Sequence, residues 1–85
     1  MKNLDDEVFR YLRDMPYFWV EATDISHKLK LPIYTVRRAL HNLVEANMIK
    51  KITKGQGKNS KRWIVGYTTY DKYREHYEGG DFDNG

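Results

Sequence analysis

Eighty-five residues, 40% hydrophobic and 14% aromatic, suffice for one domain around one small core and are too few for two. The absence of cysteine excludes disulfides and cysteine-based zinc sites and fits a reducing cytosol. No apolar run approaches the roughly 18 residues that span a bilayer, and the acidic start MKNLDDEV lacks the apolar segment of a secretory signal.

Residues 3–15 read as a first helix. Asn3 is placed to cap it, Asp5, Asp6 and Glu7 suit the positive end of its dipole, and Arg10 and Arg13 follow. Leu4, Val8, Leu12 and Met15 form its apolar stripe, with Phe9 and Tyr11 beside it. Pro16 ends it by restricting Met15. Tyr17–Val20, aromatic and β-branched, reads as a brief strand that pairs with a later hairpin. Residues 22–29 read as a short second helix, capped by Glu21 or Thr23, with Ile25 and Leu29 facing inward.

Lys30-Leu31 then turn the chain into a third helix, Pro32–Ala46, which has two faces. Val36, Leu40 and Leu43 stack on one side, flanked by Ile33 and Ala39. The other side carries Tyr34, Arg38, His41 and Glu45, with Thr35 and Asn42 on one flank and Arg37 on the other. Pro32 suits the first turn, where its missing N–H is an orphan anyway, and Asn47 tolerates the left-handed stop. Two short helices joined by a tight turn, the second with polar residues outward, make a helix-turn-helix.

After Asn47 the period changes from 3.6 to 2. Met48–Lys54 reads as a strand and Arg62–Tyr67 as its partner, with Trp63, Val65 and Tyr67 on one face and Ile64 on the other. Gly55–Lys61, GQGKNSK, is the loop between them, and a hairpin in this place is a wing. Thr68–Tyr77 reads as a last short helix, with Thr68 as cap and Asp71 three residues on. Its Tyr70, Tyr73 and Tyr77 either pack onto the first helix and complete the core or present a homodimer surface; the first helix is the other candidate for self-association. Residues 78–85, EGGDFDNG, read as a frayed acidic tail, leaving residues 1–77 as the domain.

The charge is unevenly placed. The net value is +3, yet residues 27–62 hold ten Lys or Arg against Glu45 alone, +9, while residues 1–26 and 63–85 each carry −3. Such a localised field suits a polyanion better than a neutral ligand. Arg38 projects directly away from the apolar stripe and is the candidate base reader; Arg37, to one side, is a candidate phosphate ligand. Tyr34, Thr35, His41 and Asn42 are placed to add hydrogen bonds or to touch a thymine methyl. Lys54, Lys58, Lys61 and Arg62, with Lys50 and Lys51, look like backbone-phosphate ligands around the wing, or else protect a sheet edge. Trp19 and Trp63 read as core. His27, His41 and His76 lack metal-ligand spacing, and no nucleophile motif, phosphate-cradling glycine loop or close acid pair occurs. Neither a metal, a cofactor nor an enzymatic activity is expected.

The order helix–strand–helix–helix–strand–wing–strand resembles the winged helix-turn-helix superfamily over roughly residues 4–67. DISHKLKLPIYTVRRALHNLVEANMIKK is similar to its usual pattern, with Ile25 and Ser26 at the Leu-Ala pair, Leu29 at the next Leu, and Val36, Leu40 and Leu43 in the recognition helix. Asn47 stands where that superfamily usually has Gly. Small bacterial and phage transcription regulators, including the short fimbrial-operon regulators, look similar. DISHKLKLP and Trp63 also resemble the Z-form nucleic-acid binders. Their reading Asn and Tyr, however, correspond here to Arg37 and His41, which argues against Z-form recognition. The resemblance implies an α+β fold, a three-helix core with a small antiparallel sheet and wing and an added C-terminal helix. It also implies sequence-specific binding of double-stranded DNA by a small transcription regulator without an effector pocket, in the cytoplasm on the nucleoid. Helix 32–46 then enters the major groove and loop 55–61 lies on the backbone or in the minor groove. The alternatives are a protein-interaction winged helix that docks an acidic partner, and an accessory protein that binds RNA or non-B DNA.

Overall fold

The computed structural model describes residues 3–55 and 63–78, with Trp63 and Glu78 described by their backbone. The elements run α1 (Leu4–Asp14), β1 (Val20–Glu21), α2 (Ala22–Leu29), α3 (Ile33–Glu45), β2 (Ile49–Gly55), β3 (Trp63–Thr69) and α4 (Tyr70–Glu78).

Asn3 caps α1 as its sequence predicts: its side-chain oxygen accepts the Asp5 N–H at 2.9 Å. At the other end Met15 is extended before Pro16. The ammonium of Lys72, brought from α4, donates to the carbonyls of Leu12 (2.7 Å), Met15 and Tyr17 (3.3 Å). A cation there satisfies orphan carbonyls and complements the helix dipole.

The expected strand Tyr17–Val20 is shorter and later than its composition suggests, pairing only at Val20↔Tyr67 and Glu21↔Gly66. The residues before it are used otherwise. Tyr17 gives its carbonyl to Lys72, and Phe18 stacks on His76 with ring centroids 4.4 Å apart. Trp19 lays its indole across β3 at Gly66 and donates its Nε1–H to the Ile52 carbonyl at 3.0 Å.

The turn between α2 and α3 closes through Lys30, at φ 56°. The Leu31 N–H bonds the Ser26 carbonyl at 3.1 Å, and the Ser26 hydroxyl donates to the Leu31 carbonyl at 2.6 Å. Asn47 ends α3 at φ 60°. Its N–H bonds the Val44 carbonyl and that of Met48 bonds Leu43, each at 3.0 Å, the paired bonds of a left-handed helix stop.

Three antiparallel strands follow in the order β1-β3-β2. β2 and β3 pair from Ile49↔Thr69 to Gly55↔Trp63. Because that register holds to Thr69, Thr68 is a buried strand residue and not the cap of α4. Thr69 takes that part instead: its hydroxyl accepts the Lys72 N–H at 3.3 Å, while the Tyr70 N–H bonds the Met48 carbonyl at 3.0 Å. The core joins Val8 and Leu12 of α1, Val20, Ile25, Ile49, and Val36, Ala39, Leu40 and Leu43 of α3.

The tyrosines of α4 close on β2 and on the connection after α1. Tyr70 and Tyr73 hold the Lys50 ammonium 5.4 and 5.3 Å from their ring centroids, and Tyr77 meets Tyr73 at 4.7 Å and Phe18 at 6.2 Å. The expected packing of this stripe on α1 is replaced by these contacts; α4 reaches α1 through Lys72.

Candidate nucleic-acid interface

α3 turns its apolar stripe fully inward, so its opposite face is held rigidly outward. Val36 and Leu40 are 0% exposed and Tyr34 is 74% exposed; Arg37, Arg38, His41 and Asn42 are exposed and Thr35 is half-buried. Consecutive helical residues point about 100° apart, which sends the two arginines into different surroundings.

Arg37 opens toward the sheet. It lines a cleft of about 410 Å³ with Lys51 of β2, Thr23 in the first turn of α2, and Tyr67 of β3. Among the described residues Glu21 is the one carboxylate on its walls. Burial pushes the Tyr67 phenol pKa up, against the pull of the Arg37 charge, so its hydroxyl remains neutral at pH 7. Two cations, a neutral phenol and a threonine hydroxyl around one cleft are chemistry suited to a phosphate.

Arg38 opens toward α1, in a groove of about 290 Å³ with Tyr34, Thr35, Asn42 and Leu4 and Asp5 of α1. Asn42 is already engaged there: its Nδ2 donates to the Asp5 carboxylate at 3.3 Å. The structure therefore brings together Tyr34, Thr35, Arg38 and Asn42 and sets Arg37 apart with Lys51.

The lysines of β2 alternate across the sheet. Lys51 joins Arg37, Lys50 is held between Tyr70 and Tyr73, and the Lys54 ammonium rests 4.6 Å from the centroid of the Trp19 ring. Lys58, Lys61 and Arg62, and the loop 55–61 beyond Gly55, lie outside the described residues. Thr23 and Tyr67 of the Arg37 cleft carry no sequence signal that links them to Arg37, since only the packing of α2 and β3 beside α3 brings them there. Among the described residues no group of three or more His, Cys, Asp or Glu is placed to hold a metal ion, and no helix is long and apolar enough to cross a membrane.

No protein-family profile and no curated protein matches this chain. Among solved structures it is similar to a "Possible transcriptional regulator" from Methanosarcina mazei Go1, with a TM-score of 0.69 at 21% identity. The match covers 93% of this chain and 66% of that one, so this chain spans slightly less than two thirds of its neighbour's length. The two share a fold: helices with a small antiparallel sheet, an arrangement that fits a winged helix.

Proposed function

We propose that this chain is a winged helix-turn-helix protein that binds double-stranded DNA by sequence and acts as a small, non-enzymatic transcription regulator of bacterial or phage type in the cytoplasm. The observation that carries the reading is α3 itself. Val36, Ala39, Leu40 and Leu43 on its inner face are buried while Tyr34, Arg38 and His41 stand outward, in a segment whose net charge is +9. The regulator-like structural neighbour supports the same class of activity.

In this reading α3 enters the major groove and Arg38 forks onto a base edge, with Tyr34, Thr35 and His41 beside it. Asn42 contributes after leaving Asp5, a surface hydrogen bond of about 1 kcal/mol. Arg37 and Lys51 grip the flanking phosphates from their cleft. Lys58, Lys61 and Arg62 belong to the wing and contact the backbone or minor groove. Lys54 is held on Trp19 by about 0.5–1 kcal/mol, a bond that a phosphate outbids at low salt.

The test is selection from a random-sequence duplex library at about 50 and 200 mM salt, followed by sequencing of the retained fraction. An enriched motif and a steep loss of binding with salt are expected, and a palindromic motif would mark a homodimer. Retention of structured RNA or single strands over duplex would assign the accessory reading. No retention at the lower salt would leave the basic face to an acidic protein partner.

A further inference from the structure

Between α1, the connection after it and α2 lies a pocket of about 360 Å³, lined by Tyr11, Tyr17, Trp19, Val20, Asp24 and Lys28. Small-ligand sites begin at about 300 Å³ and combine apolar walls with a few convergent polar groups. Neither Arg37 nor Arg38 lines it; it meets the face proposed for DNA at Trp19, on which Lys54 rests.

Its chemistry is specific. Three aromatic side chains and a valine make the walls, and one acid and one base, four residues apart on α2, supply opposite charges. An acid one turn before a lysine is the favourable order for an ion pair. No hydrogen bond or ion pair joins Asp24 to Lys28, and neither has another such partner among the described residues. Tyr17 is 63% exposed beside them. Tyr11, Tyr17 and Asp24 all line the pocket; burial raises the Tyr11 phenol pKa, and the Asp24 carboxylate and Tyr17 phenol raise it further.

We propose that this pocket binds a free α-amino acid with a large apolar side chain. Asp24 and the phenol oxygens of Tyr11 and Tyr17 receive the α-ammonium, which has three N–H donors to place. Lys28 receives the carboxylate, and the ring and valine walls receive the side chain. Residues one helical turn apart have Cβ atoms about 5–6 Å apart, and side chains of this length converge on two groups borne by a single carbon. A simple cation leaves Lys28 opposed, and a simple anion leaves Asp24 opposed; the zwitterion uses both. The pocket also adjoins the wing hairpin, because Trp19 bonds Ile52 and carries Lys54. Binding itself does not depend on the DNA reading.

The experiment is isothermal titration of the full chain at pH 7 with L-tryptophan, L-phenylalanine and L-leucine, beside N-acetyl-L-phenylalanine and phenethylamine. One-to-one binding with a dissociation constant below about 1 mM is expected for at least one of the three amino acids. The analogues lacking the ammonium or the carboxylate should each bind about tenfold weaker or worse. Asp24→Asn should erase the preference for phenylalanine over its N-acetyl derivative, and Lys28→Gln its preference over phenethylamine. Both residues are exposed, and the comparison of ligands on the unaltered chain stands without the variants. No heat from any of the three amino acids up to about 10 mM overturns the proposal. Phenethylamine or N-acetyl-L-phenylalanine binding as tightly as phenylalanine overturns it equally.

Discussion

Gly66→Ala probes the contact that holds the sheet to the connection after α1. A β-carbon built on Gly66 lies 2.2 Å from Trp19 Cε2, 2.4 Å from Nε1 and 2.5 Å from Cδ2. Carbon atoms at rest prefer about 3.5–4.0 Å, so the indole must shift by more than 1 Å, and Gly66 has buried surroundings. Overpacking of this kind costs about 1–3 kcal/mol. The displaced ring also strains the Nε1 bond to Ile52 and the Lys54 contact, worth about 1 and 0.5 kcal/mol. The expected loss is about 3 kcal/mol, and at about 4–8 °C per kcal/mol the midpoint should fall by about 12–24 °C. Urea titration and thermal melting by circular dichroism measure it. The informative control is the same change in a Trp19→Ala background, where the new methyl meets no ring. There alanine should be neutral to stabilising by up to about 1 kcal/mol, because glycine inside a strand is itself unfavourable by about 0.5–1 kcal/mol relative to alanine. An equal loss in both backgrounds would refute the steric argument.

Four further outcomes are expected. Arg38→Ala should weaken binding to the selected site by about 1–3 kcal/mol and relax base preference at one position; an equal loss on random duplex would contradict its role as a reader. Lys51→Ala should weaken all sequences alike and lower the salt slope by about 0.9, as removal of one phosphate contact does, and an unchanged slope would place Lys51 off the DNA. Lys72→Met should destabilise the fold by about 1–3 kcal/mol, because carbonyls at the end of α1 lose their donor, and should speed amide exchange at Met15, whose N–H bonds the Tyr11 carbonyl at 3.1 Å; unchanged exchange there would show that α1 is capped without it. The hydrogen bond from Arg13 holds the Asp14 carboxyl below its ordinary pKa, so its contribution is present above the ordinary carboxylate range and lost as pH falls through the lowered value. Stability of Asp14→Asn should therefore decline less steeply than that of the parent chain below about pH 4, and identical acid limbs in parallel urea titrations would rule this pair out as a contributor.

The elements and their inner faces were legible from periodicity. Val8 and Leu12, Ile25, and Val36, Ala39, Leu40 and Leu43 fall on the apolar stripes read from helical spacing and are the buried residues of their helices, because a helix has only one stripe to hide and spacing reveals it. Asn3 and Asn47 were legible for a similar reason, since capping and a left-handed stop are local chemistry. The outward set on α3 followed from the same periodicity, as the complement of the stripe. What lies beside that set was decided by tertiary structure: Lys51 and Tyr67 reach Arg37 across the sheet, and Asp5 reaches Asn42 from α1. Tyr17–Val20 has the composition of a strand, yet distant residues claim it, His76 taking Phe18, Lys72 the Tyr17 carbonyl, and Gly66 the face of Trp19. Local propensity is worth tenths of a kcal/mol per residue and such contacts are worth more, so pattern governs where a segment hides one face, and the rest of the chain governs where a segment is shared.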